Sequence, residues 1–432
     1  MSHGWRNWAR DQACRPVAFE QPSSVEEVVA AVRRAAAHGW NVRVAGAGHS
    51  FTDTALTDGL LLSLNRMNRV LEVDIASGRV RIEAGITLHA LNEVLDEHGL
   101  ALANLGDIDV QSVAGATATG THGTGARLPN LSAALRSIEL IVADGSRREV
   151  SEESDPDAWR AARISLGAVG IVTAATVEVV PAFTLKGVDE PRPLEEVLER
   201  LDELVDNNDH FEFFTFPHSP LALTRTNNRV DATPRPRSRA KAWANDILLN
   251  NHAFGLACRV GRRFPRSIPA INRLVSRLSG KSLRIDSSYR IFSSPRRVRF
   301  TEMEYAIPRA HAAEGVRAVR DVVEKRGFAV SFPLEVRFVA PDDAFLSPAH
   351  ARDSCYIAVH AFEGMEWEPY FRAVEEIMNG FEGRPHWGKR HFQTAATLRS
   401  RYPDWDRFSA VRQRFDPDGR FANAYVRRVL CD

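Results

Sequence analysis

Cysteine is scarce: the 432-residue chain has four, Cys14, Cys258, Cys355 and Cys431, with no CxxC spacing. This argues against a zinc site, a redox dithiol and a secreted disulfide framework, and no metal ligand set stands out. Long apolar runs are missing as well. Nothing approaches the ~18 consecutive apolar residues of a membrane-spanning helix, and the arginines of MSHGWRNWARDQACRP have no apolar segment behind them. The expectation is an unprocessed cytoplasmic protein, with membrane association open but not indicated. Net charge is small, +1, and 44% hydrophobic and 26% charged residues sit near the globular averages, which speaks against disorder and fibre. At roughly 100–200 residues per domain, the length implies two or three domains.

The near-zero net charge hides an asymmetry. Between Arg225 and Phe300 there are 16 Arg and 2 Lys against Asp231, Asp246 and Asp286, a surplus of 15 positive charges. Such a stretch could meet an acidic protein or a membrane surface, or simply be a solvated face. Its Pro/Arg-rich loop VDATPRPRSRAKAW lacks the interleaved aromatics of a nucleic-acid platform, so nucleic acid is not expected as a partner.

Ser24 with Glu27 three residues on reads as a capping box, and Val25, Val28, Val29, Val32 and Ala36 follow at helical spacing to Gly39. Strands are expected at NVRVA, LLLSL, VLEVDI and RVRIEAG, and a helix from Thr87 to Gly99. The run from Asn104 to Asn130 is rich in Gly, Ala, Thr and Ser and fits neither period. It is too long for a passive loop and so lines something. IELIVADG and GIVTAATVEVVPA follow as strands. Beyond Pro181 the texture changes: PLEEVLERLDELVDNND reads as one amphipathic helix, HFEFFTFP as a strand, then come the basic stretch, VRFTEMEYAI, a helix through Glu324, and the strands AVSFPLEVRFVAP and CYIAVHAF.

RVAGAGHSF is a strand ending in a Gly-rich turn. Gly46 and Gly48 permit close backbone approach, so successive N–H groups can cradle a diphosphate. By spacing alone it is equally a tight turn with a surface histidine. A Rossmann fingerprint fails because Phe51 stands where the third Gly belongs, and the nucleophile elbow GxSxG fails at Thr52. The second run, SVAGATATGTHGTGA, tips the balance: small side chains at Ala114, Gly115, Ala116, Ala118, Gly120, Gly123 and Gly125 leave backbone and hydroxyls as the contacts. Two such loops suggest a long, phosphate-bearing cofactor. On FPLEVRF, alternation puts Glu335 and Arg337 on one face and Leu334, Val336 and Phe338 on the other; exposed charges so spaced are usually solvated.

GAGHS, then SVAGATATGTHGTG, SLGAVGIVT and finally HWGK together resemble the FAD flavoproteins of the vanillyl-alcohol-oxidase type. Within that type they are similar to the aldonolactone oxidoreductases, the L-gulono- and D-arabinono-1,4-lactone oxidases and dehydrogenases; alditol and oligosaccharide oxidases stand close by. The resemblance spans nearly the whole chain. It implies an α+β fold: a two-subdomain, PCMH-type FAD-binding domain over residues 1–180, an α+β substrate (cap) domain over 181–385, and a C-terminal segment, 386–432, returning to the FAD domain. It implies oxidation of the C2 alcohol of a sugar lactone by hydride transfer to flavin N5, with oxygen or another electron acceptor completing the cycle. A basic nucleic-acid or membrane-docking protein is the alternative from another class, and it leaves both glycine loops without a purpose.

The resemblance also distributes roles. His49 would carry FAD covalently, which suits a neutral imidazole nitrogen as nucleophile. Gly46, Ala47, Gly48 and Ser50 would hold the pyrophosphate; Ser112, Gly115, Ala116, Thr117, Gly120, Thr121, His122 and Gly123 would run along the other side of the cofactor, and Gly170 and Ile171 would meet the adenine end. His122 is equally a structural histidine in a glycine loop. Glu335 would bind substrate hydroxyls, Arg337 would stabilise negative charge, and Lys389 of HWGK would reach the substrate oxygen. Two departures stand out: Ala358 falls where alditol oxidases have a substrate-contacting His, leaving His360 one step along the same face, and Asp107 replaces a frequent Ser. The residue before that position lies, in the family, near the flavin edge, where Gly admits oxygen and Ala blocks it; here it is Gly106.

Overall fold

The computed structural model describes residues 4–238 and 251–431. The RAKAW end of the Pro/Arg-rich loop, and Asp246, lie outside them. Three sheets organise the chain, and the functional cavities lie where they meet.

The first is a small parallel sheet of Ala18–Glu20, Leu60–Leu62 and Val42–Val44, in that order. Helix Val25–Ala37 covers it. Ser24 starts the helix by accepting from the Glu27 N–H, and the buried stripe Val28, Ala31, Val32 and Ala35 sets its packing face. Glu27 takes the N–H of Ser23 rather than of Ser24, so the expected box is closed one residue earlier. The second sheet is antiparallel and five-stranded, in the order Arg147–Ser151, Leu135–Ile141, Ile171–Glu178, Arg79–Glu83, Val70–Asp74. Ile141 and Ile171 from it share a core with Leu62 of the first sheet and Val28 of its helix.

The third sheet is antiparallel, with eight strands running Ser282–Ser287, Thr184–Pro193, Leu221–Val230, His210–Thr215, Leu334–Val339, Ser354–Phe362, Phe300–Pro308, Arg384–Pro385. Helices Leu194–Glu199, Leu201–Asp206, Ala312–Arg326 and Glu368–Gly380 bury one face of it, with Val316, Val319, Phe371 and Val374 packed on Phe213, Val336 and Ile357. The other face is polar and looks toward the glycine loops. Alternation along each strand makes this division, because every second residue points to the same side.

After Arg384–Pro385 the chain returns to the first sheet. Val42 N donates to Arg420 O, and buried Arg43 donates to the carbonyls of Phe421, Leu166 and Thr54. Asn423 ties the carbonyls of Asp53 and Leu56 to the last helix, Ala424–Leu430.

Three readings are corrected. The stretch Asn104–Asn130 contains a helix, Val113–Ala118, capped by Ser112; six residues are too few to show a 3.6-residue period. The expected single helix from Pro193 onward is two, because Arg200 (φ −103°, ψ 20°) breaks it. Strands Thr184–Pro193 and Leu221–Val230 were not expected, and the second runs into the basic stretch.

Candidate active site

The turn after strand Val42–Val44 opens on a cavity of about 370 Å³, lined by Gly46, Ala47, Gly48, His49 and Ser50 on one side and Ser112, Gly115, Ala118 and Thr119 on the other. Gly170 and Ile171 close one end. Among the described residues, none accepts from the N–H groups of Gly46, Ala47, Gly48, His49 or Ser50. Five successive donors without a protein acceptor on a cavity wall are suited to an anionic ligand, and Ser112 and Gly115 of helix Val113–Ala118 and its cap stand opposite. The fit is close. A Cβ on Gly46 would lie 2.5 Å from Ser112 Oγ, and Gly48 has φ +73°, so side chains are excluded from the cradle wall by sterics and backbone conformation.

A second cavity of about 220 Å³ adjoins the first, with His49, Ser50, Gln111 and Thr119 lining both. Its floor is the polar face of the eight-stranded sheet. Cross-strand register aligns Arg225, Glu212, Arg337 and Tyr356 in one row, and Phe214, Glu335, Ala358 and Glu304 in the next. Glu302 pairs with His360 beyond them. Loops supply the roof: Gly106 and Asp107 from the glycine-loop side, and His386, Gly388 and Lys389 from the returning C-terminus.

The charges interlock. Arg337 Nε donates to Glu212 at 2.8 Å, while Nη2 contacts Asp107 and lies 2.5 Å from Glu335. These Nη2 contacts lack hydrogen-bond alignment, which leaves a buried N–H without a protein acceptor among the described residues. Asp107 also pairs with Arg296, and Glu212 with Arg225 at 3.1 Å. Lys389 pairs with Glu302, which His360 Nε2 approaches to 3.5 Å. His122 donates from Nδ1 to Gly123 O at 2.8 Å and brings Nε2 within 3.3 Å of Glu304.

Burial is the largest influence on these acids, but it does not win everywhere. Lys389 and His360 outweigh it at Glu302 and hold that carboxyl at about 2. At Glu335 burial wins with help from Asp107 and Glu212, against Arg337, and the carboxyl rises to about 7. Burial and the neighbouring Lys389 lower His49 to about 4, so its imidazole is neutral at pH 7. The His49 ring stacks on Trp8, with centroids 5.2 Å apart.

The structure thus gathers His49, Gly106, Thr121, His122, Glu335, Arg337, His360 and Lys389 around one cavity. Gly46, Ala47, Gly48, Ser50, Ser112, Gly115, Gly170 and Ile171 fall on the other. Four expected residues face neither. Ala116 is wholly buried, and Thr117 turns away, bonding Val113 O. Gly120 faces Ile164 and Pro348, and Gly123 packs on Leu105 O and Asn104. Glu302, Glu304 and Glu212 were missed. The signal was present in TEMEYAI, where Glu302 and Glu304 alternate with Met303 and Tyr305 as Glu335 and Arg337 do with apolar neighbours, and in the lone Glu212 of HFEFF. Two groups, His122 with Glu304 and His386, and Asp107 with Glu212 and Glu335, have ligand atoms within 4.8 Å of one another; Arg337 fills the second.

Residues 175–429 match the D-arabinono-1,4-lactone oxidase family model, and residues 16–151 match an FAD binding domain. The chain is 52% identical, over the whole of both proteins, to the L-gulono-1,4-lactone dehydrogenase of Mycobacterium tuberculosis. It is 35% identical to the L-gulonolactone oxidase of Bos taurus, again over the whole of both. Among solved structures, a solvent-stable cholesterol oxidase superposes with a TM-score of 0.83 at 17% identity, covering 98% of this chain and 97% of that one; at that identity the likeness concerns the fold.

Proposed function

The chain belongs to the D-arabinono-1,4-lactone oxidase family, and on that premise we propose that it is an FAD-dependent enzyme oxidising the C2 alcohol of a sugar-1,4-lactone, of the L-gulono or D-arabinono type. The carrying observation is the junction of the two cavities at His49: an anion cradle on one side and a buried charged cavity on the other. Bound FAD supplies the two-electron acceptor for the hydrogen on the substrate carbon.

The chain's own residues hold the substrate and move its proton. Glu335, raised to about 7, accepts the hydroxyl proton. Arg337, held among Glu212, Asp107 and Glu335, keeps positive charge beside the substrate oxygens, and Lys389, fixed by Glu302, sets the charge around the reacting hydroxyl. His360 reaches the same cavity from the strand position expected for it. Ala358 contributes only a methyl between Glu335 and Glu304. His49, neutral and positioned between the cavities, carries the flavin covalently. Gly46, Ala47, Gly48 and Ser50 hold its pyrophosphate, Ser112 and Gly115 line the facing wall, and Gly170 and Ile171 meet its adenine end.

Oxygen is an acceptor in this reading. Gly106 lines the cavity, and a Cβ there would stand 3.1 Å from His122 O and 3.7 Å from Thr121 Cγ2, so one methyl would narrow the passage and press on the His122 carbonyl. Steady-state turnover on a panel of aldonolactones and alditols, with dye and with oxygen, tests both claims. Lactones should exceed alditols in kcat/KM, and Gly106→Ala should lower peroxide formation while dye-linked turnover persists. Preference for alditols would move the substrate class, and a wild-type enzyme that turns over dye but makes no peroxide would refute the gate.

A further inference from the structure

Between Phe254 and Leu278 the Arg-rich stretch builds two helices whose buried stripes hold few large apolar residues. Helix Phe254–Arg263 buries Gly255, Cys258 and Gly261, and helix Ile268–Leu278 buries Ile268, Asn272 and Ser276. Both turn these stripes to the same loop. Asn272 donates to Val330 O at 2.9 Å and Pro217 O at 3.1 Å, Gly261 sits against Ser331, and Cys258 packs with Phe332.

The opposite stripes therefore share one outer surface. It carries Leu256, Val260 and Phe264, each four residues apart, and then Leu274 and Leu278, with exposures from 40% to 74%. A surface helix of a globular protein normally buries its leucines and exposes its asparagine. Six arginines, Arg259, Arg262, Arg263, Arg266, Arg273 and Arg277, accompany these apolar residues, with no acid between Phe254 and Leu278. Among the described residues none of the six is in a salt bridge, and Arg262 alone donates to a neighbouring loop, to Glu363 O at 2.9 Å.

We propose that this helix pair is a docking face for an anionic lipid bilayer, with the leucines, Val260 and Phe264 at the acyl boundary and the arginines on headgroup phosphates. Apolar side chains interleaved with arginine on an exposed helix are what interfacial binding requires. A second copy of the chain would set six like charges against six. Nucleic acid would engage the arginines and leave the leucines in water. Phe254, at the start of the first helix, also lines the substrate cavity with Arg296, so the docked face borders the cavity mouth.

The test is co-sedimentation of the holoprotein with vesicles of phosphatidylcholine alone and with ~30% phosphatidylglycerol added. At about 50 mM salt the protein should pellet only with the anionic vesicles, and its partitioning should fall on the order of tenfold at about 200 mM. Leu274→Asn with Leu278→Asn, and separately Arg266→Glu with Arg277→Glu, should each weaken partitioning by about tenfold while circular dichroism and flavin absorbance stay unchanged. Failure to pellet with anionic vesicles at low salt overturns the proposal. So does equal binding by the leucine variant, which would mean charge alone, for an acidic protein or nucleic acid. A wild-type dimer that the leucine variant makes monomeric, with no vesicle binding, would assign the face to a second copy.

Discussion

One guanidinium neutralises one carboxylate, and Arg337 faces three. Asp107 has Arg296 as a second partner and Glu212 has Arg225, while Glu335 has only its share of Arg337, with His360 and Lys389 further off. Glu335 is therefore the acid of the three that holds a proton near neutrality. As a base it must be ionised, so kcat/KM should fall as pH drops through about 7, tenfold per unit. Asp107→Asn removes a negative neighbour that favours the protonated form, and the limb should move to lower pH by about one unit; an unmoved limb would separate Glu335 from it. At His49 the prediction is covalent flavin: acid-precipitated protein should keep its colour and fluoresce on a denaturing gel, and His49→Ala should not. Flavin found wholly in the supernatant would sink that assignment. Alternation, a local pattern, put Glu335 and Arg337 on one face, but only the family resemblance turned that face toward a ligand rather than solvent. Asp107 was noticed only as a departure, because its partners Arg296 and Arg337 are 189 and 230 positions away along the chain.

Between elements, the contact that matters most is the one between the turn at Gly46 and the cap of helix Val113–Ala118. Ser112 Oγ accepts from Gly115 N at 3.3 Å and leaves no space for a methyl on Gly46. Gly46→Ala should therefore lower flavin content severalfold or more in protein as purified. Ser112→Ala alone removes a cap worth about 1 kcal/mol, and adding it to Gly46→Ala should restore flavin, because the next atoms, Ser112 Cβ and Gly115 Cα, stand at 3.7 and 3.9 Å. Flavin content unaffected by Gly46→Ala would show that the turn does not bound the cofactor. The same scale explains what the sequence hid. KGVDEPRP carries glycine, prolines and charges, yet it forms most of the long strand Thr184–Pro193, because Leu221–Val230 pairs along its whole length and Ser282–Ser287 along half of it. Tertiary pairing overrode a poor local propensity. Helix Val25–Ala37 was legible because its cap, its buried stripe and its glycine stop agree.

At the scale of the whole molecule, the site exists only because three sheets and a returning C-terminus converge. Lys389 and His386 come from a segment whose continuation packs Trp387, Tyr425, Val426 and Phe421 into the cores. No short run of residues announces such a convergence, and it was the ordered motifs together that pointed to it. Among the described residues no helix is long and apolar enough to cross a membrane. On the proposed function, lactone and FAD meet where the two cavities join at His49. That meeting is tested most directly by mixing the purified protein anaerobically with L-gulono-1,4-lactone and following its visible absorbance. The flavin band should be present at the start and bleach in a single turnover, and Glu335→Gln should slow the bleaching on the order of a hundredfold or more. A colourless protein, or a yellow one whose spectrum no sugar lactone changes, would contradict the account.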